Sequence, residues 1–382
     1  MPTIYFDHGG TTPIAPAVIE KMTEVMSHVY GNPSSVHQTG RTAKALLNKA
    51  RQEIATSINA KEDEIIFTSG GTESDNFAIR QTAKSRQHLG RHLVTSNVEH
   101  PAVLDTMKEL GKEGFDVTFL DVSETGDITP EQVAKALRPD TILVSLMWTN
   151  NETGVQFPIK EISEVLKDHQ AYFHTDAVQA FGLETIDVNE VAVDLLSASA
   201  HKINGPKGVG MLFQREGVHL PAMQTGGKQE TQQRAGTENI PGIVGFAEAV
   251  KLLDEATKEQ RRQGYQELQT KLTTGLHDAG IEFEINGTSS LKSSHVINLW
   301  LKDLPNQQVL MQLDLAGIAI SVGSACTAGA VQPSHVLEAM FGQKTERALE
   351  SIRISFGLGN TDEEVATLVA ELVKIKERMT SK

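Results

Sequence analysis

The sequence contains one cysteine among 382 residues, Cys326, so the chain cannot form an internal disulfide. Single-cysteine usage favours a reducing compartment. No apolar run approaches the roughly 20 residues that a membrane-spanning helix needs. The first residues, MPTIYFDHGGTTP, lack the basic start and apolar core of a signal peptide. We therefore expect a soluble cytoplasmic protein that does not interact with a membrane.

Basic residues are also in deficit, with 35 Lys and Arg against 49 Asp and Glu and a formal charge of −14. This balance argues against a surface that binds nucleic acid directly. Clusters of the HxxxH or CxxC type are missing from the sequence, so we predict no metal site. The length allows a full core, most simply in two domains.

The single cysteine lies in a run of small residues, SVGSACTAGA, from 321 to 330. A lone cysteine is most often buried as a small hydrophobic residue. Small side chains and glycines pack poorly and leave the backbone several options, so this run favours an accessible thiol. Cys326 is therefore a candidate nucleophile.

Short apolar runs alternate with helical patterns through the first two thirds of the chain, which predicts an α/β domain with a mostly parallel sheet. Thr129 followed by Pro130 indicates one helix start. We expect one antiparallel pair near 205–208. After residue 237 we expect a long helix interrupted at Gly264, followed by a smaller α+β domain. The seven strand candidates are 64–69, 92–97, 116–122, 141–148, 171–176, 194–199 and 208–213.

Reactive side chains follow several of these strands. Lys202 comes just after a strand, where partial burial would lower the pKa of its amine, although most lone lysines are simply solvated. Ser199 and His201 beside it offer donors to a phosphate. Asp176 ends a strand, where ligands bind in α/β sheets, although it could equally cap the next helix. Gln179 lies one helical turn further on.

A glycine turn, Gly70 to Thr72, lies between a strand and a helix, where backbone amides can bind phosphate. Its spacing is not that of a P-loop. Other candidates lie next to predicted strands or helices, and they are His100, Asn150, Asn151, Arg234 and Thr237.

Together these features resemble the aspartate-aminotransferase fold of pyridoxal-phosphate enzymes, and their order resembles one family, the cysteine desulfurases. The resemblance covers essentially the whole chain. The motifs that carry it are YFDHGGTTP, GNPSSVH, SGGTESDN, NVEH, NNETG, HTDAVQA, SASAHKINGPKGVG, RAGTEN, GSACTAGA and SIRISFG.

The resemblance implies a type I aminotransferase fold of class V. A large domain, residues 15–255, would contain the mostly parallel seven-stranded sheet and bind the cofactor. Residues 1–14 and 256–382 would form a small α+β domain that carries the Cys326 loop. The resemblance also implies a homodimer.

The resemblance assigns roles around pyridoxal 5′-phosphate. Lys202 would bind the cofactor covalently, and Asp176 would pair with the pyridinium nitrogen. His100 would stack on the ring and transfer protons. Gln179 would hydrogen-bond the phenolic oxygen, with Asn151 near it and the substrate.

The phosphate would be held by Gly71, Thr72, Ser199 and His201, joined by Thr237 of the partner subunit. This shared contact is the reason why the resemblance implies sites at a dimer interface.

Arg353 would bind the carboxylate of L-cysteine, with Asn32 assisting. The Cys326 thiolate would take the substrate sulfur as a persulfide and release alanine. A sulfur-acceptor protein, either an iron–sulfur scaffold or a tRNA-thiolating enzyme, would then receive the sulfur.

Two motifs depart from the family pattern. This chain has DHGGTTP where the family commonly has DNAATTP, and RAGT where the family has RSGT. Selenocysteine lyase or another class-V aminotransferase is the alternative, and an aminotransferase would not need Cys326. A non-catalytic scaffold is a further alternative. Such a protein should have lost Lys202, Asp176 or Cys326, and all three are present.

Overall fold

The computed structural model describes residues 3–323 and 332–380. Within these ranges the strands are β1 (Ile4–Tyr5), β2 (Ile65–Thr68), β3 (His92–Ser96), β4 (Asp116–Leu120), β5 (Thr141–Ser145), β6 (Tyr172–Asp176), β7 (Leu195–Ser199), β8 (Gly210–Gln214), β9 (Phe283–Asn286), β10 (Val296–Leu301), β11 (Ile318–Ala319) and β12 (Ser351–Ser355). The helices there are α1 (Pro16–His28), α2 (Gln38–Thr56), α3 (Gly71–Arg86), α4 (Pro101–Lys112), α5 (Pro130–Ala136), α6 (Ile159–Leu166), α7 (Ile240–Lys251), α8 (Glu255–Asp278), α9 (Asn306–Leu315), α10 (His335–Phe341), α11 (Arg347–Glu350) and α12 (Asp362–Thr380).

A seven-stranded sheet in the order β2-β8-β7-β6-β5-β3-β4 forms the centre of the fold. All seven predicted strands are present in it. The strands from β3 to β7 pair in parallel, and β8 runs antiparallel to both β7 and β2. The antiparallel pair expected near residues 205–208 is therefore confirmed, and a second one accompanies it.

The topology brings the carboxyl ends of β2, β6 and β7 to one edge of the sheet, because β2 and β7 both run opposite to β8. Two helices begin at this edge. Helix α3 starts at Gly71 directly after β2, and α4 starts at Pro101, with His100 as its N-cap. In open α/β sheets this edge is where ligands bind.

The long helical stretch after residue 237 is divided at a different place from the one predicted. Helix α7 ends at Lys251 and α8 begins at Glu255, so the break precedes Gly264 by several residues. Asp254 starts the second helix by accepting a hydrogen bond from the Thr257 amide at 2.8 Å. Gly264 lies inside α8, where glycine is tolerated at a modest cost.

A second, antiparallel sheet, β12-β10-β9, forms in the last third of the chain. It shares a hydrophobic core with α8, α9 and α12, built around Leu272, Leu299, Ile352 and Leu368. Strands and helices are both present in this region, as the α+β expectation requires, and α12 closes it; residues 317–323 contribute only the short β11, which pairs with β1. In the described ranges no helix is long and apolar enough to cross a bilayer.

Candidate active site

A cavity of about 270 Å³ opens at the carboxyl edge of the central sheet. Most of the predicted site residues line it, although they come from distant parts of the sequence. Those residues are Gly71, Thr72, His100, Asn151, Asp176, Gln179, Ser199, His201, Lys202 and Arg353.

Lys202 reaches this cavity from a 3₁₀ turn, Ala200–Lys202, that follows β7. Its ammonium group donates hydrogen bonds to the carbonyl oxygens of Gly9 and Gly10, the latter at 2.8 Å. A Cβ atom on Gly10 would lie 2.7 Å from a carboxylate oxygen of Asp7, so a glycine suits this close approach. The glycines that depart from the family motif therefore form part of the cavity wall around the lysine.

Asp176 and His100 place a carboxylate and an imidazole in the same cavity. Asp176 is only 7% exposed, and its Oδ1 accepts a hydrogen bond from the Val178 amide at 2.9 Å. Burial raises the pKa of Asp176, while the charges of His100 and Lys202 oppose that rise. Burial lowers the pKa of His100. Its Nδ1 accepts from the Ala102 amide at 3.1 Å, which leaves the ring proton on Nε2.

Donors for an anion converge at the start of α3. The Ser199 hydroxyl is buried and has no hydrogen-bond partner among the described residues. His201 Nδ1 bonds the Thr11 hydroxyl at 3.1 Å, and burial lowers the pKa of this histidine to about 4. A Cβ atom on Gly71 would lie 2.6 Å from a methyl group of Val178, so the backbone fits closely there. The first amides of α3 add the positive end of a helix dipole.

These groups fit pyridoxal phosphate. The amine of Lys202 suits an aldehyde carbon, and the carboxylate of Asp176 suits a ring nitrogen that carries a proton. The unpartnered Ser199 hydroxyl and the first turn of α3 suit a phosphate. The cavity thus contains a complementary group for each polar part of the cofactor.

Arg353, on β12, brings a guanidinium group from the second sheet to the cavity. It is 3% exposed and donates from Nη1 to the carbonyl of Asn151 at 3.0 Å and from Nη2 to Asp7 at 2.7 Å. Its Nε has no hydrogen-bond partner among the described residues. A buried guanidinium with an unused donor is well suited to binding a carboxylate.

Two of the described residues to which the resemblance assigns roles do not line this cavity. Asn32 is exposed in the segment between α1 and α2, and its Oδ1 accepts from the Ser34 amide at 2.9 Å. Thr237 is exposed and lines a separate cavity. Cys326 lies outside the described residues. The roles of all three stay predictions.

Sequence reasoning missed the buried carboxyl groups around the cavity. Asp75 lines it at 1% exposure, and burial together with the Asp176 charge raises the pKa of Asp75. Glu99 accepts hydrogen bonds from the Ser96 hydroxyl at 2.6 Å and from the Met147 amide at 3.1 Å, and burial raises its pKa to about 8. Both occur inside the motifs SGGTESDN and NVEH, which were the available signal.

Comparison with known proteins identifies the family. Residues 4–368 match the model of the class-V aminotransferases. A putative cysteine desulfurase of Bacillus subtilis, IscS 1, is 51% identical over 380 residues, which is 100% of each chain. The cysteine desulfurase IscS of Methanosarcina thermophila is 42% identical over 376 residues, covering 98% of this chain and 92% of its own.

Solved structures agree. A NifS-like protein superposes with a TM-score of 0.92 at 33% identity, over 98% of this chain and 100% of its own. A structure described as SspA in complex with cysteine superposes with a TM-score of 0.82 at 35% identity, over 93% of this chain and 99% of its own. The predicted fold and the predicted cofactor are confirmed at the level of the family. The chain belongs to the cysteine desulfurases, pyridoxal-phosphate-dependent enzymes of the class-V aminotransferase family.

Proposed function

We propose that this protein converts L-cysteine to L-alanine and transfers the sulfur, through a persulfide on Cys326, to an acceptor protein. The observation that carries this proposal is the convergence of Lys202, Asp176 and Arg353 on one cavity. They supply an amine for the cofactor, a carboxylate for its ring and a guanidinium for the substrate.

Bound pyridoxal phosphate would supply an electron sink next to the α-carbon of the amino acid. Lys202 would bind the aldehyde carbon of the cofactor and, once displaced, accept the proton of the substrate α-carbon. Asp176 would keep the ring nitrogen protonated. His100 would cover the ring face and transfer protons from its Nε2.

The remaining cavity residues would hold the cofactor. Gln179 and Asn151 would bind near the phenolic oxygen. The phosphate would be bound at the beginning of α3 and after β7, by Gly71, Thr72, Ser199, His201 and Thr237 of the partner subunit. A homodimer is therefore part of the proposal, because each site would be completed by the second chain.

Arg353 would orient the substrate through its carboxylate, using the donor on Nε that the protein leaves unused. Asp7 holds the guanidinium in place, since it accepts from Nη2 at 2.7 Å. Asn32 would assist this contact.

The Cys326 thiolate would attack the substrate sulfur, forming a sulfur–sulfur bond while the Cβ–S bond breaks. The electron pair of that bond stays with the carbon fragment, which takes a proton and leaves as alanine. The persulfide would then pass to an iron–sulfur scaffold or a tRNA-thiolating enzyme, and we propose that the enzyme works in the cytoplasm.

The decisive experiment supplies the purified protein with pyridoxal phosphate, L-cysteine and a reductant. We expect a visible absorption band from the bound cofactor, together with sulfide and alanine in equal amounts. Cys326→Ser should keep the band but lower sulfide release by about 100-fold or more, because the nucleophile is gone. Lys202→Ala should lose the band of covalently bound cofactor.

Two outcomes would contradict the proposal. A wild-type protein without a visible band does not bind the cofactor in the expected way. Undiminished sulfide release by Cys326→Ser would indicate a selenocysteine lyase or another class-V enzyme that does not use this thiol.

A further inference from the structure

The side-chain amide of Gln179 is held at both ends by groups with opposite hydrogen-bonding character. Its nitrogen lies 2.9 Å from the carbonyl oxygen of Gly9, and its oxygen lies 3.2 Å from Nε2 of His295. The Gly9 carbonyl can only accept, so the Gln179 atom that faces it must be the nitrogen. The oxygen of the amide consequently faces His295.

The tautomer of His295 follows from its other neighbour. Its Nδ1 lies 2.7 Å from the hydroxyl of Ser293, which is 2% exposed. Burial, together with the charges of Lys202, Arg353 and His8, lowers the pKa of His295 to about 3, so the ring is neutral. A neutral ring has one N–H group, and Gln179 requires it on Nε2. Ser293 therefore donates to Nδ1.

We propose that His295 is a positioning residue for the cofactor ring, which acts by fixing the orientation of the Gln179 amide. A reversed amide would place its oxygen against the Gly9 carbonyl and its NH₂ group against the N–H of His295. Both hydrogen bonds would be replaced by repulsive contacts. In the observed orientation the amide nitrogen lies next to Gly9, which lines the cavity together with Gln179, and we infer that its second N–H faces the cavity.

The position of His295 is itself well defined. Its carbonyl oxygen accepts from the Phe356 amide at 2.8 Å, which ties the segment before β10 to the end of β12. His295 is 116 residues from Gln179 in the sequence, and it is not among the described residues that line the 270 Å³ cavity. We therefore expect it to act on the cofactor through Gln179. This inference rests on the proposed function, since the second N–H matters only if Gln179 binds the phenolic oxygen.

The test measures the dissociation constant of pyridoxal phosphate and the pH midpoint of its visible band, rather than turnover. His295→Leu should weaken cofactor binding by about threefold to tenfold, the usual effect of one hydrogen bond, and shift the midpoint. His295→Gln is the conservative control, because its terminal amide can donate from about the position of Nε2. It should restore values close to those of the wild type.

A double-mutant cycle separates positioning from general damage. In a Gln179→Ala background, His295→Leu should cause no further loss of affinity, because the residue through which it acts is absent. Ser293→Ala provides a second variant, and should give a smaller loss in the same direction by releasing the tautomer. Equal losses in both backgrounds would overturn the inference.

The outcomes also separate this inference from the proposed function. A wild-type protein that shows no visible band overturns the proposed function. A wild type with a normal band, beside a His295→Leu protein that has the same affinity and pH midpoint, overturns only the role of His295.

Discussion

At the scale of single residues, burial raises the pKa of carboxyl groups around the site. Glu99 is fully buried, next to the N-cap of α4, and burial raises its pKa to about 8. One of its oxygens has no hydrogen-bond partner among the described residues. At neutral pH this side chain is therefore mostly uncharged in the folded protein, whereas it is ionised in the unfolded chain.

This difference makes stability depend on pH. Because the pKa of Glu99 is raised in the folded protein, its contribution to the unfolding free energy is complete below pH 4.5, the ordinary pKa of a glutamate. This contribution is lost as the pH rises to about 8. Within that window the unfolding free energy of the wild type should fall by up to about 1.4 kcal/mol per pH unit from this group. Glu99→Gln should remove that slope, because an amide does not titrate. The amide oxygen can still accept hydrogen bonds from Ser96 and Met147, so the variant should fold.

Urea unfolding at about pH 5, 6.5 and 8, with saturating pyridoxal phosphate, would measure the slope. Glu282→Gln, at an exposed position, is the matched control and should leave the pH dependence unchanged. If Glu99→Gln and the wild type lost stability in parallel, the buried carboxyl would not be the cause.

Several of the predicted residues that line the cavity share one physical rule. Lys202, Asp176 and Ser199 end or follow strands, and a parallel sheet brings such positions to one edge. Asp7 and His295 were missed because no local pattern encodes their contacts. Asp7 meets Arg353 across 346 positions, and His295 meets Gln179 across 116. The first contact forms when the N-terminal segment pairs with the second sheet, and the second forms when the last third of the chain packs against the central sheet.

At the scale of elements, strands were easier to predict than helix boundaries. The strands of the central sheet are short apolar runs, and β3, β5 and β7 are buried at every position. The predicted interruption at Gly264 is wrong, because α7 ends at Lys251 and Asp254 caps the start of α8. A capping aspartate starts a helix by satisfying free amides, whereas one glycine only weakens it.

The position of Gly264 leads to a stability prediction. A Cβ atom there would contact nothing within 4 Å beyond its own helix, so alanine adds no clash. Gly264→Ala should stabilise the protein by about 0.5–1 kcal/mol, because it restricts the unfolded chain and favours the helix. Thermal unfolding would measure the rise in Tm.

Gly357→Ala is the contrasting control. Its Cβ atom would lie 2.0 Å from Nδ1 of His8, whose side chain is 5% exposed. We expect this variant to lose about 1–3 kcal/mol through overpacking. A lower Tm for Gly264→Ala would contradict the prediction, because it would mean that α8 is more stable with glycine at this position.

At the scale of the whole molecule, the site is assembled from two hydrophobic cores. Asp176 belongs to the central sheet, and Arg353 belongs to the second sheet. The N-terminal segment links them, because Phe6 packs in the second core while Gly9 and Gly10 bind Lys202. We propose that the domain division lies here, with residues 15–255 on one side and 1–14 with 256–382 on the other.

The proposed dimer leads to a test that depends on which chain supplies Thr237. This residue lines a cavity separate from that of Lys202, so we propose that it binds the phosphate of the partner subunit. Thr237→Ala dimers should bind pyridoxal phosphate about tenfold more weakly, since a hydrogen bond to a charged group is lost. Lys202→Ala dimers should show no band of covalently bound cofactor.

Mixed dimers carrying Lys202→Ala in one chain and Thr237→Ala in the other distinguish the two arrangements. If Thr237 acts across the interface, the chain that retains Lys202 receives an intact threonine from its partner. The mixed dimer should then show one visible site per dimer with wild-type affinity. If Thr237 acts within its own chain, that site should have the weakened affinity of Thr237→Ala.

Co-expression with two affinity tags and sequential purification would isolate the mixed species, with both parent dimers as controls. A protein that stays monomeric at all concentrations would exclude the shared site altogether.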